Sequence, residues 1–133
     1  MKKKNSKCDY TQHRNEKLMA EFKARIGCGD GSTIDSIFPL IARDAKAPRF
    51  YINEDRAYSL IRNFKKSGRW PDNMTANKRR MICDILERVE RTMAFRRNIT
   101  LKDAVYEVVN SEAPSFYLTP RSIRTMLYAS LAG

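Results

Sequence analysis

The stretch Ala47-Pro48-Arg49-Phe50-Tyr51-Ile52 returns as Ala113-Pro114-Ser115-Phe116-Tyr117-Leu118, and this return is the strongest constraint on the fold. The flanks repeat with it. Leu18, Met19, Phe22 and Ile26 fall on Ile85, Leu86, Val89 and Met93, 67 residues on. At the same spacing Thr33, Ile34, Ile37, Phe38 and Ile41 fall on Thr100, Leu101, Ala104, Val105 and Val108. One deleted residue later, Ala57, Leu60 and Ile61 fall on Ile123, Met126 and Leu127. Apolar positions keep their places while the surface drifts, the pattern left when a packed unit is copied. The chain reads as a basic tail over 1–10, repeat 1 over 11–67, a linker over 68–74 and repeat 2 over 75–133.

Apolar spacing of three and four residues makes each copy three helices, so the expected fold is all-α with about six helices. In copy two the first helix carries Met81, Ile82, Ile85, Leu86, Val89 and Met93 on one face, opposite Arg79, Arg80, Arg88, Arg91, Arg96 and Arg97. Thr75 is the expected N-cap of that helix. Second helices are expected to start at Thr33 and Thr100. Pro39 interrupts the first of these, so that helix either kinks there or begins late. Third helices are expected to follow Asn53, ahead of Glu54 and Asp55, and Thr119, ahead of Pro120.

Pro48 and Pro114 bar helical backbone at the residue before them, so each Ala-Pro-x-Phe-Tyr connector should run extended. Phe50 with Ile52, and Phe116 with Leu118, would then plug the core, leaving the tyrosine rings half exposed. Gly68 is expected to end a third helix. The lone tryptophan, Trp70, is expected to dock one copy on the other. Cys28-Gly29-Asp30-Gly31-Ser32 reads as a turn between helices, since a phosphate loop would need a lysine that is not there.

Chemistry is sparse in this sequence. One histidine, His13, and three widely spaced cysteines, Cys8, Cys28 and Cys83, do not make a zinc spacing. No nucleophile-base pair and no convergent carboxylates stand out, so neither catalysis nor a cofactor or metal is expected. No long apolar run suggests a membrane span, and Met1-Lys2-Lys3-Lys4-Asn5-Ser6-Lys7 has no apolar stretch behind it, so no signal peptide is expected. A cytoplasmic location follows, with a virion-associated one as the alternative.

Charge is the remaining signal. Twenty-six Lys and Arg against 15 Asp and Glu leave +11, a field that draws polyanions. A three-helix unit with a capped, basic third helix is the layout of helix-turn-helix DNA readers. In copy two the candidate contacts are Arg121, Ser122, Arg124 and Thr125. In copy one they are Arg56, Arg62, Lys65 and Lys66, with Lys78, Arg79 and Arg80 opening the next helix against its dipole preference. Glu54 and Asp55 would repel phosphate, and the connector is about twice as long as a compact helix-turn-helix turn. Further cations stand at Lys2, Lys3, Lys4, Lys7, Arg69, Arg96 and Arg97.

Tyr10-Thr11-x-x-Arg14-Asn15-Glu16-x-Leu18-Met19, taken with the two Ala-Pro-x-Phe-Tyr segments, resembles a group of short basic proteins of Bacteroidetes and their phages. The resemblance implies a phage or mobile-element setting and brings no functional residues with it. The expectation is a non-enzymatic nucleic-acid-binding protein whose partner is double-stranded DNA. Its alternative is a structural or adaptor protein, virion-associated, that meets acidic protein or packaged genome. A third reading, RNA binding, would need Tyr51 and Tyr117 exposed for stacking.

Overall fold

A computed structural model describes residues 6–26 and 34–132. All of the regular structure is helical: α1 Ser6–Ile26, α2 Ile34–Asp44, α3 Glu54–Ser67, α4 Ala76–Phe95, α5 Leu101–Val109 and α6 Pro120–Ala132. Local chemistry sets the boundaries. Asn53 accepts from the Arg56 N–H at 3.1 Å, Thr75 from Lys78 at 3.2 Å, Thr100 from Asp103 at 3.1 Å and Thr119 from Ser122 at 3.0 Å. Each bond satisfies an amide that the first turn leaves without a partner. Gly68 closes α3 at φ 73°, where a side chain would be strained, and donates to Phe64 O at 2.7 Å. α2 begins at Ile34 and runs through Pro39, so it does not start late. Ser6 begins α1, so residues 6–10 of the expected tail are helical. Lys2, Lys3, Lys4, the turn at 28–32 and the expected cap Thr33 lie outside the described residues.

The chain packs as two compact units, and they are not 11–67 and 75–133. One unit comprises residues 1–47 and 113–133; the other is 48–112. In the first, α1, α2 and α6 pack on one another; in the second, α3, α4 and α5 do so. The third helices of the two sequence copies are therefore exchanged. Each unit combines the first and second helices of one copy with the third helix of the other. An extended connector explains this. Nine residues separate α2 from α3 and ten separate α5 from α6, a reach of about 30 Å at roughly 3.3 Å per residue. A helix on such a tether is not obliged to fold back on its neighbour. Consecutive helices α2 and α3 therefore belong to different units, and so do α5 and α6, so neither unit contains the expected consecutive pair of a helix-turn-helix.

Leu18, Phe22, Ile37, Phe38, Ile41, Phe116, Ile123 and Leu127 form the core of the first unit. The Phe22 and Phe38 rings stack at 5.7 Å, and Tyr128 meets Phe38 edge-on at 6.1 Å, so α1, α2 and α6 share one aromatic contact. Ala47 and Ala113 pair by two backbone hydrogen bonds, 3.0 and 2.8 Å, at the two points where the chain changes unit. The second core holds Phe50, Ile52, Ala57, Leu60, Ile61, Ile82, Ile85, Val89, Val105 and Val109. Phe50 N–H donates to Val109 O at 2.9 Å, which fixes the connector against the end of α5. Burying each such large side chain contributes about 1.5–3 kcal/mol.

Phe50, Ile52 and Phe116 are buried as core plugs, and Leu118 is half-buried. Tyr51 and Tyr117 are buried as well, each 6% exposed, so neither ring is half open. Trp70 stacks on Phe64 with ring centroids 4.0 Å apart, both within 48–112. The tryptophan therefore closes the linker onto α3 inside one unit, in place of docking one copy on the other. No helix among the described residues is long and apolar enough to cross a membrane.

Candidate nucleic-acid interface

The exchange of third helices decides which candidate contacts share a unit. Arg56, Arg62, Lys65 and Lys66 on α3 and Lys78, Arg79 and Arg80 on α4 all belong to the unit 48–112. Every one of these seven side chains is exposed. Arg121, Ser122, Arg124 and Thr125 lie on α6 and belong to the other unit.

On α3 the buried stripe is Ala57, Leu60 and Ile61, which turns Arg56, Arg62, Lys65 and Lys66 outward. Arg62 lies 5.6 Å from the centre of the Tyr58 ring, one turn earlier on the same helix. Lys65 is paired with Glu90 of α4 at 2.6 Å, so its charge is partly neutralised. No ion pair involves Arg56, Lys66 or Arg79 among the described residues. The first turn of α4 contains no acid. Lys78, Arg79 and Arg80 stand near the positive end of this 20-residue helix, which the helix dipole disfavours. Arg91 is paired with Glu87 at 3.0 Å, and Arg96, which caps the end of α4, with Glu107 of α5 at 2.5 Å. Arg97 is exposed, as is Arg69 in the linker.

Glu54 and Asp55 do not stand as a repelling tip. Asp55 accepts a hydrogen bond from the Tyr106 hydroxyl, and Glu54 accepts from the Asn110 amide at 3.1 Å. Arg49 lies 3.8 Å from Glu54. The acidic pair ties α3 to α5, and the hydrogen bond to Asp55 pushes the Tyr106 hydroxyl up to about 12, with burial and the two carboxylate charges adding to it. Sequence alone shows acids beside a helix start and not the partners that absorb them.

On α6, Arg121, Arg124 and Thr125 are exposed. The Arg124 guanidinium lies 5.3 Å from the Tyr128 ring, and the half-buried Ser122 is engaged in the helix cap with Thr119. No acid occurs anywhere in residues 113–133.

Sequence reading missed two cavities of the unit 48–112. The linker turns back so that Pro71, Asn73, Met74 and Thr75 line one cavity with Ile52, Arg56, Leu60 and Lys78, about 210 Å³ in volume. Nothing in the linker's composition signals that return. A second groove, about 370 Å³, is lined by Arg88, Arg91, Thr92, Phe95, Glu107, Val108 and Ser111. Phe95 on its wall is 90% exposed. Among the described residues no group of three or more His, Cys, Asp and Glu side chains is placed to hold a metal ion.

Set against protein-family models, curated proteins and solved structures, the chain matches none.

Proposed function

We propose that this is a non-enzymatic nucleic-acid-binding protein whose partner is double-stranded DNA, acting in a phage or mobile-element setting. One observation carries the reading: α3 and the first turn of α4 present exposed cations in a single unit, and Arg56, Lys66 and Arg79 among them lack a carboxylate partner among the described residues. Cations of this kind neutralise phosphates and release counterions, which supplies affinity without reading sequence. α6 is a second basic helix, with Arg121 and Arg124 free of any acid in the flanking chain. The burial of Tyr51 and Tyr117 weighs against the RNA reading, which needs their rings as stacking surfaces. The phage or mobile-element setting rests on the sequence resemblance alone.

The test is a fluorescence anisotropy titration of the full chain against a mixed-sequence duplex at rising salt. Neutralising about six phosphates predicts a loss of affinity on the order of a thousandfold between about 50 and 200 mM salt. Arg79→Ala with Arg80→Ala, and separately Arg121→Ala with Arg124→Ala, should each weaken binding. Absence of binding at the lowest salt removes the reading. An adaptor for a protein partner then takes its place, favoured by Phe95, an aromatic ring left almost wholly open beside a groove.

A further inference from the structure

The C-terminal end of α3 carries an aromatic stack in a basic stretch of chain. Phe64 lies one turn beyond the buried Leu60, so it carries the apolar stripe to the helix end, where it is half-buried. Trp70 stacks on it, with ring centroids 4.0 Å apart and planes 11° from parallel. Backbone bonds fix the turn that brings the indole there. Gly68 donates to Phe64 O at 2.7 Å, while the Ser67 hydroxyl donates to Asn63 O at 3.0 Å and accepts from the Arg69 N–H at 3.2 Å. The ring is thus held in place before any ligand arrives, which lowers the ordering cost of binding.

Trp70 is itself half-buried, and Phe64 is its one ring contact among the described residues. Its indole N–H makes no hydrogen bond to them and reaches solvent. A buried tryptophan ordinarily gives that donor a partner. The adjoining chain supplies Arg62, Lys66 and Arg69, all exposed and none in an ion pair among the described residues. Residues 56–71 contain no acid; Asp72 follows them. A supported aromatic plane among cations suits a single nucleic-acid strand, whose bases stack on the ring while its phosphates meet the charges. An apolar protein segment would cover the ring but leave the cations unanswered.

We infer that Trp70, backed by Phe64, stacks an unpaired base of a DNA strand, with Lys66 and Arg69 on the flanking phosphates. The inference rests on the nucleic-acid reading above and adds the part of DNA that the unit 48–112 holds. Inside a duplex the base faces are already stacked on one another, so the site takes a single-stranded stretch or a frayed end.

Trp70 is the lone tryptophan, so its emission reports the site in the unaltered full chain. A short mixed-sequence single strand should quench that emission, and a long blunt duplex should not. In anisotropy titrations with the labelled single strand, Trp70→Ala should lower affinity on the order of tenfold. Trp70→Phe keeps a ring and should retain most of the binding, and duplex affinity should be unchanged in both variants. Arg69→Ala should reduce the single-strand salt slope by about 0.7. Thermal melting by circular dichroism checks that each variant folds; if Trp70→Ala does not, the wild-type quench and Trp70→Phe carry the test. If the duplex binds and the single strand leaves the emission unchanged, the stacking site falls and the function stands. If the single strand quenches Trp70 and the duplex is not bound, the duplex reading falls and the site stands. Equal losses for single strand and duplex in Trp70→Ala would overturn the site, because the ring would then serve the fold and not a base.

Discussion

The two Ala-Pro-x-Phe-Tyr connectors are identical at four of six positions, with Ile52 answered by Leu118 at a fifth, and solve their backbone in different ways. In the first, Arg49 reaches along its own segment: Nε donates to Phe50 O at 2.9 Å and Nη2 to Ile52 O at 2.7 Å, while the guanidinium lies 5.8 Å from the Tyr51 ring. In the second, the matching residue is Ser115, too short to reach those carbonyls. Its buried Oγ accepts from the Tyr117 N–H at 2.9 Å, closing a tight local turn that holds Tyr117 at φ 56°. That is left-handed backbone, costly for a residue with a Cβ by about 1–2 kcal/mol. The shared residues thus dictate burial of the aromatic plug, and the Arg49/Ser115 difference dictates how the polar backbone around the plug is satisfied.

The largest expected effect tests what the connectors have in common. Phe50 is fully buried and Phe116 is 4% exposed. Truncating either to Ala removes a core ring and should cost about 3–5 kcal/mol, read by urea unfolding followed by far-UV circular dichroism. Phe50→Ala should cost more, since the Arg88 guanidinium also lies over its ring at 5.2 Å. A loss below about 1 kcal/mol at Phe116 would show that the second plug is not part of a packed core.

A middle-sized effect tests what separates them. Arg49 is largely buried, with its side chain 18% exposed, and Arg49→Ala strips two charge-assisted bonds from carbonyls, for about 1–3 kcal/mol. Arg49→Lys should recover little, because a single ammonium cannot bridge both oxygens as the planar fork does. Ser115→Ala leaves the Tyr117 amide without its acceptor and should cost about 1–3 kcal/mol. The informative variant is Arg49→Ser, which gives the first connector the residue of the second. Stability equal to wild type would mean that either device serves either connector. A loss matching Arg49→Ala would show that surroundings, and not the residue alone, select the turn.

Much of this was legible beforehand. Thr75, Thr100, Thr119 and Asn53 announced helix starts because a cap is a short-range interaction between residues three apart. Gly68 announced a helix end, and Phe50, Ile52 and Phe116 announced a plug, for equally local reasons. The exchange of third helices was not legible. A helical period says which face of α3 or α6 is buried and nothing about what buries it, and in two similar copies the partners look alike. Trp70 was misread on the same account, because its partner Phe64 is found on the helix just before it and not across the copies. The candidate cations are all exposed, while the neutral Ser122 is half-buried, and the packing groups the candidates differently from the sequence copies. Lys78 through Arg80 share a unit with Arg56 and Arg62, while Arg121 and Arg124 belong to the other, and only the packing of the third helices says so.

The smallest expected effect lies one turn beyond the connectors, where the third helices begin differently. α3 opens with Glu54 and Asp55, bonded to Asn110 and Tyr106 of α5, whereas α6 opens with Pro120 and Arg121 and has no carboxylate to offer α2. Only the neutral phenol of Tyr106 can donate to Asp55. Its pKa is raised from an ordinary 10 to about 12 in the folded chain, so the folded state holds this proton more tightly than the unfolded one. The resulting stability is fully present below about pH 10 and is lost as pH rises towards 12. Tyr106→Phe removes the bond at every pH, so the difference in Tm between wild type and variant should stay constant from pH 7 to 9 and shrink above 10. Amide exchange should quicken first in residues 54–67 and 101–109, and α2 and α6 should not share that early change. A Tm difference that holds unchanged through pH 12 would mean the phenol does not bridge α3 and α5, and the two third helices would then be held by apolar packing alike.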